Sequence, residues 1–194
     1  MDLEQKSIER IKMASEMSLH HYGKPLICTY SGGKDSDVML ELFKRSGVPF
    51  EVHNSHTTVD APPTVYHIRD TFRDLELAGI ACDIDYHRQP DGHFLTMWNI
   101  IPQKLMPPTR AVRYCSKSLK EGYGANRMIA TGVRWAESVQ RRGREAFEYI
   151  ASTKAGRIAA STEVMLANDN DTSRRLIEKC EMKAKTVCNP IIDW

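Results

Sequence analysis

Apolar residues recur along this chain in two rhythms, one helical and one of short continuous runs. In residues 3–20, Leu3, Ile8, Ile11, Ala14, Met17 and Leu19 make a loose stripe, which predicts a helix covering one face of a sheet. His20 and His21 fall at its end as surface residues. The apolar run 25–30 predicts a buried strand. An amphipathic run over 36–45 predicts the next helix, stopped by Ser46 and Gly47, with Pro49 barring its continuation. Residues 50–59 read as a second strand. Residues 64–78 read as a helix with Val65, Ile68, Phe72 and Leu75 on one face, ended by Gly79.

Residues 80–87 form the third predicted strand, with Cys82 as buried packing. A shorter helix follows at 93–101, broken by Pro102, with Trp98 in its core face. Residues 105–120 are irregular across two prolines and then basic. Residues 127–131 give a fourth strand, and 132–141 a glycine turn opening a helix. The pattern fades over 143–172, where 144–150 suits strand or helix and 168–172 is rich in turn residues. A helix is expected over 172–180, capped by Asp171 or Thr172. Residues 185–194 are apolar and β-branched, hence extended. This alternation predicts an α/β fold: a doubly wound, mostly parallel sheet of five strands, helices on both faces, and a ligand at the carboxyl ends of the strands.

Composition narrows the field only modestly. With 194 residues the chain has room for one well-buried core, so a single domain over 1–194 is expected. The 27 basic and 25 acidic residues leave a net charge of +2, which argues against a general nucleic-acid coat while permitting local basic patches. No stretch approaches the roughly 20 apolar residues that span a membrane. The charged start of the chain has no apolar segment of the signal-peptide kind, so a cytoplasmic protein is expected. Five cysteines in such a chain argue against structural disulfides and towards metal or redox use.

The densest chemistry lies at Ser31, Gly32, Gly33, Lys34, Asp35 and Ser36, between the first strand and its helix. A helix N-terminus offers unpaired N–H groups and a partial positive charge, a natural seat for phosphate. The two glycines let the backbone approach an anion without a Cβ in the way. Lys34 adds a mobile positive charge, Ser31 and Ser36 add hydroxyls, and Asp35 could hold magnesium beside the phosphates. Neither the Walker loop GxxxxGK nor GxGxxG is present.

The sequence SGGKDSDVML over 31–40 resembles the pyrophosphate loop of the N-type ATP pyrophosphatases, whose signature is SGGxDS, and in particular their PAPS reductase and ATP sulfurylase branch. The resemblance implies an adenine nucleotide alpha hydrolase-like fold and cleavage of ATP between its α- and β-phosphates, activating a partner as an adenylate. Further matches follow along the chain. Arg113-Tyr114-Cys115 with Leu119-Lys120 resembles the family's Arg-aromatic-Cys and Leu-Lys pair, and implies a basic active-site wall. The segment from Gly132 through Arg134 and Glu137 to Ser138 resembles the family's second anion-binding element, G-x-R-x-x-E-S.

In that element Arg134 is the candidate clamp for phosphate or sulfate, since a guanidinium donates two parallel hydrogen bonds. Glu137 would orient it or help bind metal, and Arg141 would add positive field. The segment from Asn189 to Trp194 resembles the family's N-P-I-x-D-W element, which normally precedes another helix, so a C-terminal helical part is expected beyond it. The turn at 60–64 is only loosely like the family's acidic, proline-containing turn. There His53 and His56 are either a metal pair or strand alternation.

By the same resemblance, Cys115, Cys180 and Cys188 could hold an iron–sulfur cluster with one iron open. Unligated thiols, one of them a sulfur carrier, are the alternative, and zinc a further one; no C-x-x-C spacing decides between them. The function implied is an ATP-using, adenylating enzyme of sulfur metabolism, in which Lys34, Asp35, Arg134 and Cys115 carry the chemistry. Its partners would be a persulfide-carrying sulfur donor, an acceptor that is a nucleic acid or a small metabolite, and a second copy in a homodimer. Two other readings stand beside it. A PAPS or APS reductase would need an altered loop and an E-C-G-L-like tail, and this chain has neither. A nucleotide-binding subunit without catalysis, like the small subunit of ATP sulfurylase, is the third.

Overall fold

A computed structural model describes residues 2–89, 91–109, 112, 114–120, 123–150 and 185–194. In chain order the elements are α1 (Leu3–Tyr22), β1 (Leu26–Thr29), α2 (Lys34–Ser46), β2 (Phe50–Ser55), α3 (Pro62–Leu77), β3 (Cys82–Asp85), α4 (Met97–Lys104) and α5 (Tyr114–Leu119). They continue with β4 (Met128–Ala130), two 3-10 turns (Trp135–Glu137 and Val139–Arg141), β5 (Phe147–Ile150) and β6 (Lys185–Cys188). The fold is α/β. Its sheet has six strands in the order β3-β2-β1-β4-β6-β5. The pairs β1–β4, β4–β6 and β2–β3 are parallel. The sixth strand comes from the segment whose pattern suited strand or helix: β5 runs antiparallel to β6, Phe147 opposite Cys188.

The chain divides into two compact units, Met1–Glu51 with Gly124–Trp194, and Val52–Tyr123. In the first, Leu26, Ile27 and Cys28 of β1 are fully buried, as a strand covered on both faces requires. Helices α1 and α2 pack on each other and on β1, contributing Ile11, Ala14, Met39 and Phe43 to the core. Both helices end where a glycine takes up the left-handed conformation, Gly23 at φ 62° and Gly47 at φ 70°.

The C-terminal segment closes this unit. Arg10 donates to both carboxylate oxygens of Asp193, at 2.6 and 3.1 Å, and to Pro190 O at 3.0 Å. Lys6 adds a 2.5 Å contact to Asp193, and Trp194 Nε1 donates to Ser7 Oγ at 2.9 Å. The side chains of the N-P-I-x-D-W element thus fasten the end of the chain to α1.

In the second unit, Ile68, Phe72 and Leu75 of α3 are buried, the face expected from their spacing. The helix starts two residues before the expected boundary, because Pro62 and Pro63 fill its first positions, where no N–H is needed. Cys82 is half-buried beside Phe72 O and Ile80 O, and burial, with Glu76 nearby, pushes its thiol up to about 11.

Three expectations fail at α4. It begins at Met97, where Thr96 and Asn99 cap each other reciprocally: Thr96 Oγ1 accepts from Asn99 N at 3.2 Å, and Asn99 Oδ1 accepts from Thr96 N at 2.8 Å. It then runs through Pro102 rather than stopping there. The apolar face is Met97 and Ile100, against Leu119. Trp98 therefore points away and is 71% exposed rather than in the core. The residues after Gly132 likewise form 3-10 turns instead of an α-helix. Cys180, Arg110, Arg113 and the expected helix at 172–180 lie outside the described residues.

Candidate functional site

Strand β1 ends at Thr29, and the turn to α2 is made by residues 30–33. Gly32 sits at φ 70°, which an L side chain adopts only with strain. Gly33 is the last residue before the helix. The first helical backbone bond runs from Asp37 N to Gly33 O, at 3.0 Å. The N–H groups of Lys34, Asp35 and Ser36 precede it and have no acceptor within the helix. Ser36 is buried and holds the turn: its Oγ donates to Gly33 O at 2.7 Å and accepts from Gly33 N at 3.0 Å. Ser31 Oγ reaches Ser36 Oγ at 3.4 Å. The buried Tyr30 donates its hydroxyl to the Asp37 carboxylate, bracing the loop from below. Ser31, Gly33 and Lys34 remain exposed.

The second segment comes from the end of β4, the strand beside β1. Thr131 leaves the sheet and Gly132 follows. A Cβ on Gly132 would stand 3.6 Å from Asp35 O and 3.8 Å from Ser36 N, so this backbone lies against the first turn of α2. Two residues on, Arg134 Nη2 donates to Asp35 Oδ2 at 2.9 Å. The side chains of the pair are 25% and 32% exposed. Glu137 Oε1 accepts from Arg134 N at 3.2 Å, and its carboxylate also pairs with Arg141. Arg134 Nε is buried and has no hydrogen-bond partner.

Gly132 and Arg134 thus meet the 31–36 loop, 99 residues separating Asp35 from Arg134 in the chain, and Glu137 and Arg141 join them through the Arg134 backbone N–H. The arrangement crosses the point where strand order reverses: β1 leads on to β2 on one side and has β4 on the other. Sequence reasoning missed the support beneath it. Asn189 is fully buried, accepts from Thr131 Oγ1 at 2.5 Å and donates to Glu145 O at 2.8 Å. Residues 185–194 read as extended, whereas the strand stops at Cys188 and 190–193 turn; nothing local in the chain points from residue 189 to residue 131.

Cys115 and Lys120 lie in the second unit, Cys115 half-buried against the Met97, Ile100 and Leu119 cluster and Lys120 exposed after α5. Cys188 is enclosed on β6 with Sγ 3.9 Å from Arg10 O. Burial pushes its thiol upward against the opposing Arg10 charge. Among the described residues, no three His, Cys, Asp or Glu side chains gather as a metal site. The structure therefore gives the iron–sulfur cluster no support. His53 and His56 form no such pair either. His53 is buried, with Nδ1 2.9 Å from Asp83 Oδ2 and its ring stacked on Tyr123. His56 instead packs near Tyr86.

Magnesium fits the loop better. Asp35 supplies a partly exposed hard oxygen at the N-terminal turn of α2, and the orphaned Arg134 Nε beside it awaits an anionic acceptor.

No protein-family model matches the sequence, and no curated protein does. Among solved structures, the chain is similar to that of an NMN synthetase from Francisella tularensis, with a TM-score of 0.42 and 11% identity over 71% of this chain. The match covers 57% of that chain, so this chain spans less than two thirds of its length. Among the described residues, no helix is long and apolar enough to cross a membrane.

Proposed function

We propose that this protein is a nucleotide-binding enzyme of the N-type ATP pyrophosphatase kind, which cleaves ATP between its α- and β-phosphates and activates an acceptor for sulfur transfer. One observation carries the reading: the 31–36 loop presents three uncommitted N–H groups and Lys34, and the segment after β4 sets Arg134 against that same turn. Such a constellation suits a chain of phosphates, with the backbone donors of the loop fixed before the ligand arrives. The resemblance of 31–40 to the family's loop supports an adenine nucleotide as the ligand.

In this reading the helix N-terminus and Lys34 hold the departing pyrophosphate, and Arg134 stabilises charge building at the α-phosphorus as an acceptor oxygen attacks. Magnesium bound at Asp35 would neutralise the leaving group. Ser36 and Tyr30 keep the loop in shape. The terminal sulfur of a persulfide-carrying protein then attacks the adenylated acceptor, a nucleic acid or a small metabolite, and AMP leaves; a second thiol cleaves the resulting carrier–acceptor disulfide, releasing the thiolated acceptor and itself ending in a disulfide with the carrier. Assembly as a homodimer belongs to the same proposal. Cys115 enters it only as a half-buried thiol of the second unit.

The test is calorimetric. Magnesium with α,β-methylene-ATP and, separately, PAPS are titrated into the same protein. Tighter binding of the ATP analogue is expected. A clear preference for PAPS would transfer the site to the reductase reading, and binding of neither would remove the nucleotide.

A further inference from the structure

The Asp35–Arg134 ion pair bears on how such a site fills, an inference that rests on the phosphate reading above. Asp35, the residue suited to a cation, and Arg134, the residue suited to an anion, occupy each other at 2.9 Å. Both are more than half buried, so separating them exposes each to a less than fully aqueous surrounding. A phosphate arriving alone must draw Arg134 away and strand the Asp35 carboxylate beside the incoming negative charge. A cation arriving alone must strand the guanidinium, whose Nε already lacks a partner. A cation and a phosphate arriving together replace both partners at once, and the phosphate can also satisfy Nε.

We propose that this pair is an exchange latch: it closes the site to a free polyphosphate anion and opens to the metal–polyphosphate pair, so the two ligands bind with positive coupling. Coupling between sites is reciprocal, so each ligand tightens the other by the same factor.

Calorimetry with inorganic pyrophosphate and with α,β-methylene-ATP, each with and without magnesium, measures it. In wild type, magnesium is expected to tighten binding roughly tenfold or more, within the usual range of such couplings. In Asp35→Asn, metal-free binding should tighten and the magnesium increment should vanish. Simple removal of a repelling carboxylate would also tighten metal-free binding, so a double-mutant cycle is needed. If the gain works through release of Arg134, Asp35→Asn gives none in an Arg134→Ala background. A gain of equal size in both backgrounds overturns the latch and leaves the phosphate site standing. Failure of wild type to bind either ligand, with or without magnesium, overturns the site and the latch together.

Discussion

The Thr131 hydroxyl donates to Asn189 Oδ1 at 2.5 Å, and this contact joins the end of β4 to the end of β6. Asn189 spends its other polar groups as fully. Nδ2 donates to Glu145 O, and its N–H to Ala146 O at 2.7 Å, just before β5. One buried amide thus gathers three strand ends beside Gly132 and Arg134. Asn189→Ala would leave the Glu145 carbonyl and the Thr131 hydroxyl without these partners in a closed space. Unfolding in denaturant should show a loss of roughly 2–3 kcal/mol. A loss under about 1 kcal/mol would mean the surroundings satisfy these groups without Asn189.

Lys34 tests the loop without testing the fold. It is exposed at the first position of α2 and buries nothing. Lys34→Ala should leave the melting temperature nearly unchanged, as surface substitutions usually do. Loss of a charged hydrogen bond to phosphate should weaken nucleotide binding by about tenfold or more. Unaltered nucleotide affinity would put the phosphates somewhere other than this loop.

The acid side of the stability curve should carry the mark of Asp193. Burial opposes its ionisation, but hydrogen bonds from Arg10 and Lys6 prevail and hold its carboxyl at about 2, against 3.8 ordinarily. A carboxylate with a lowered native pKa stabilises above its unfolded value and loses that contribution as pH falls through the native one. The stabilisation, roughly 2 kcal/mol, is therefore complete above 3.8 and fades towards pH 2. Asp193→Asn should be less stable than wild type at neutral pH, with the gap closing as the pH approaches 2 in denaturant titrations. A gap that stays constant down to that pH would assign the loss to packing rather than charge.

How much of this was legible in the chain depends on the range of the interactions. The loop at 31–36, the glycine stop after α2 and the buried face of α3 are written in residues a few positions apart. The boundary of α4 was misjudged because a reciprocal Thr96–Asn99 cap competes with an upstream start, and because Pro102 is tolerated inside the helix. Trp98 was misplaced for a different reason: its size and aromaticity suggested burial, but Met97 and Ile100 supply the face turned to Leu119. The placement of Arg134 against the loop could be expected only through the family resemblance. Its partner Asp35, and the Asn189 support, depend on pairings 99 and 58 residues apart that no local pattern records.

His53 should shape stability at mildly acid pH. Burial lowers its pKa below 6.5, and the opposing hydrogen bond and charge of Asp83 do not overcome it, since Asp83 itself is largely solvated. The neutral ring fits its contacts: Nδ1–H donates to Asp83, and Nε2 accepts from the Ser55 hydroxyl at 3.1 Å. Below pH 6.5 the unfolded chain takes up a proton that the native ring refuses. Native stability therefore falls as pH drops through 6.5, and levels off once the folded ring is protonated too. Denaturant titrations across this range should show that His53→Gln removes one proton's worth of slope, even if the variant is less stable throughout. An unchanged slope would mean that the native ring binds its proton as readily as the unfolded one does.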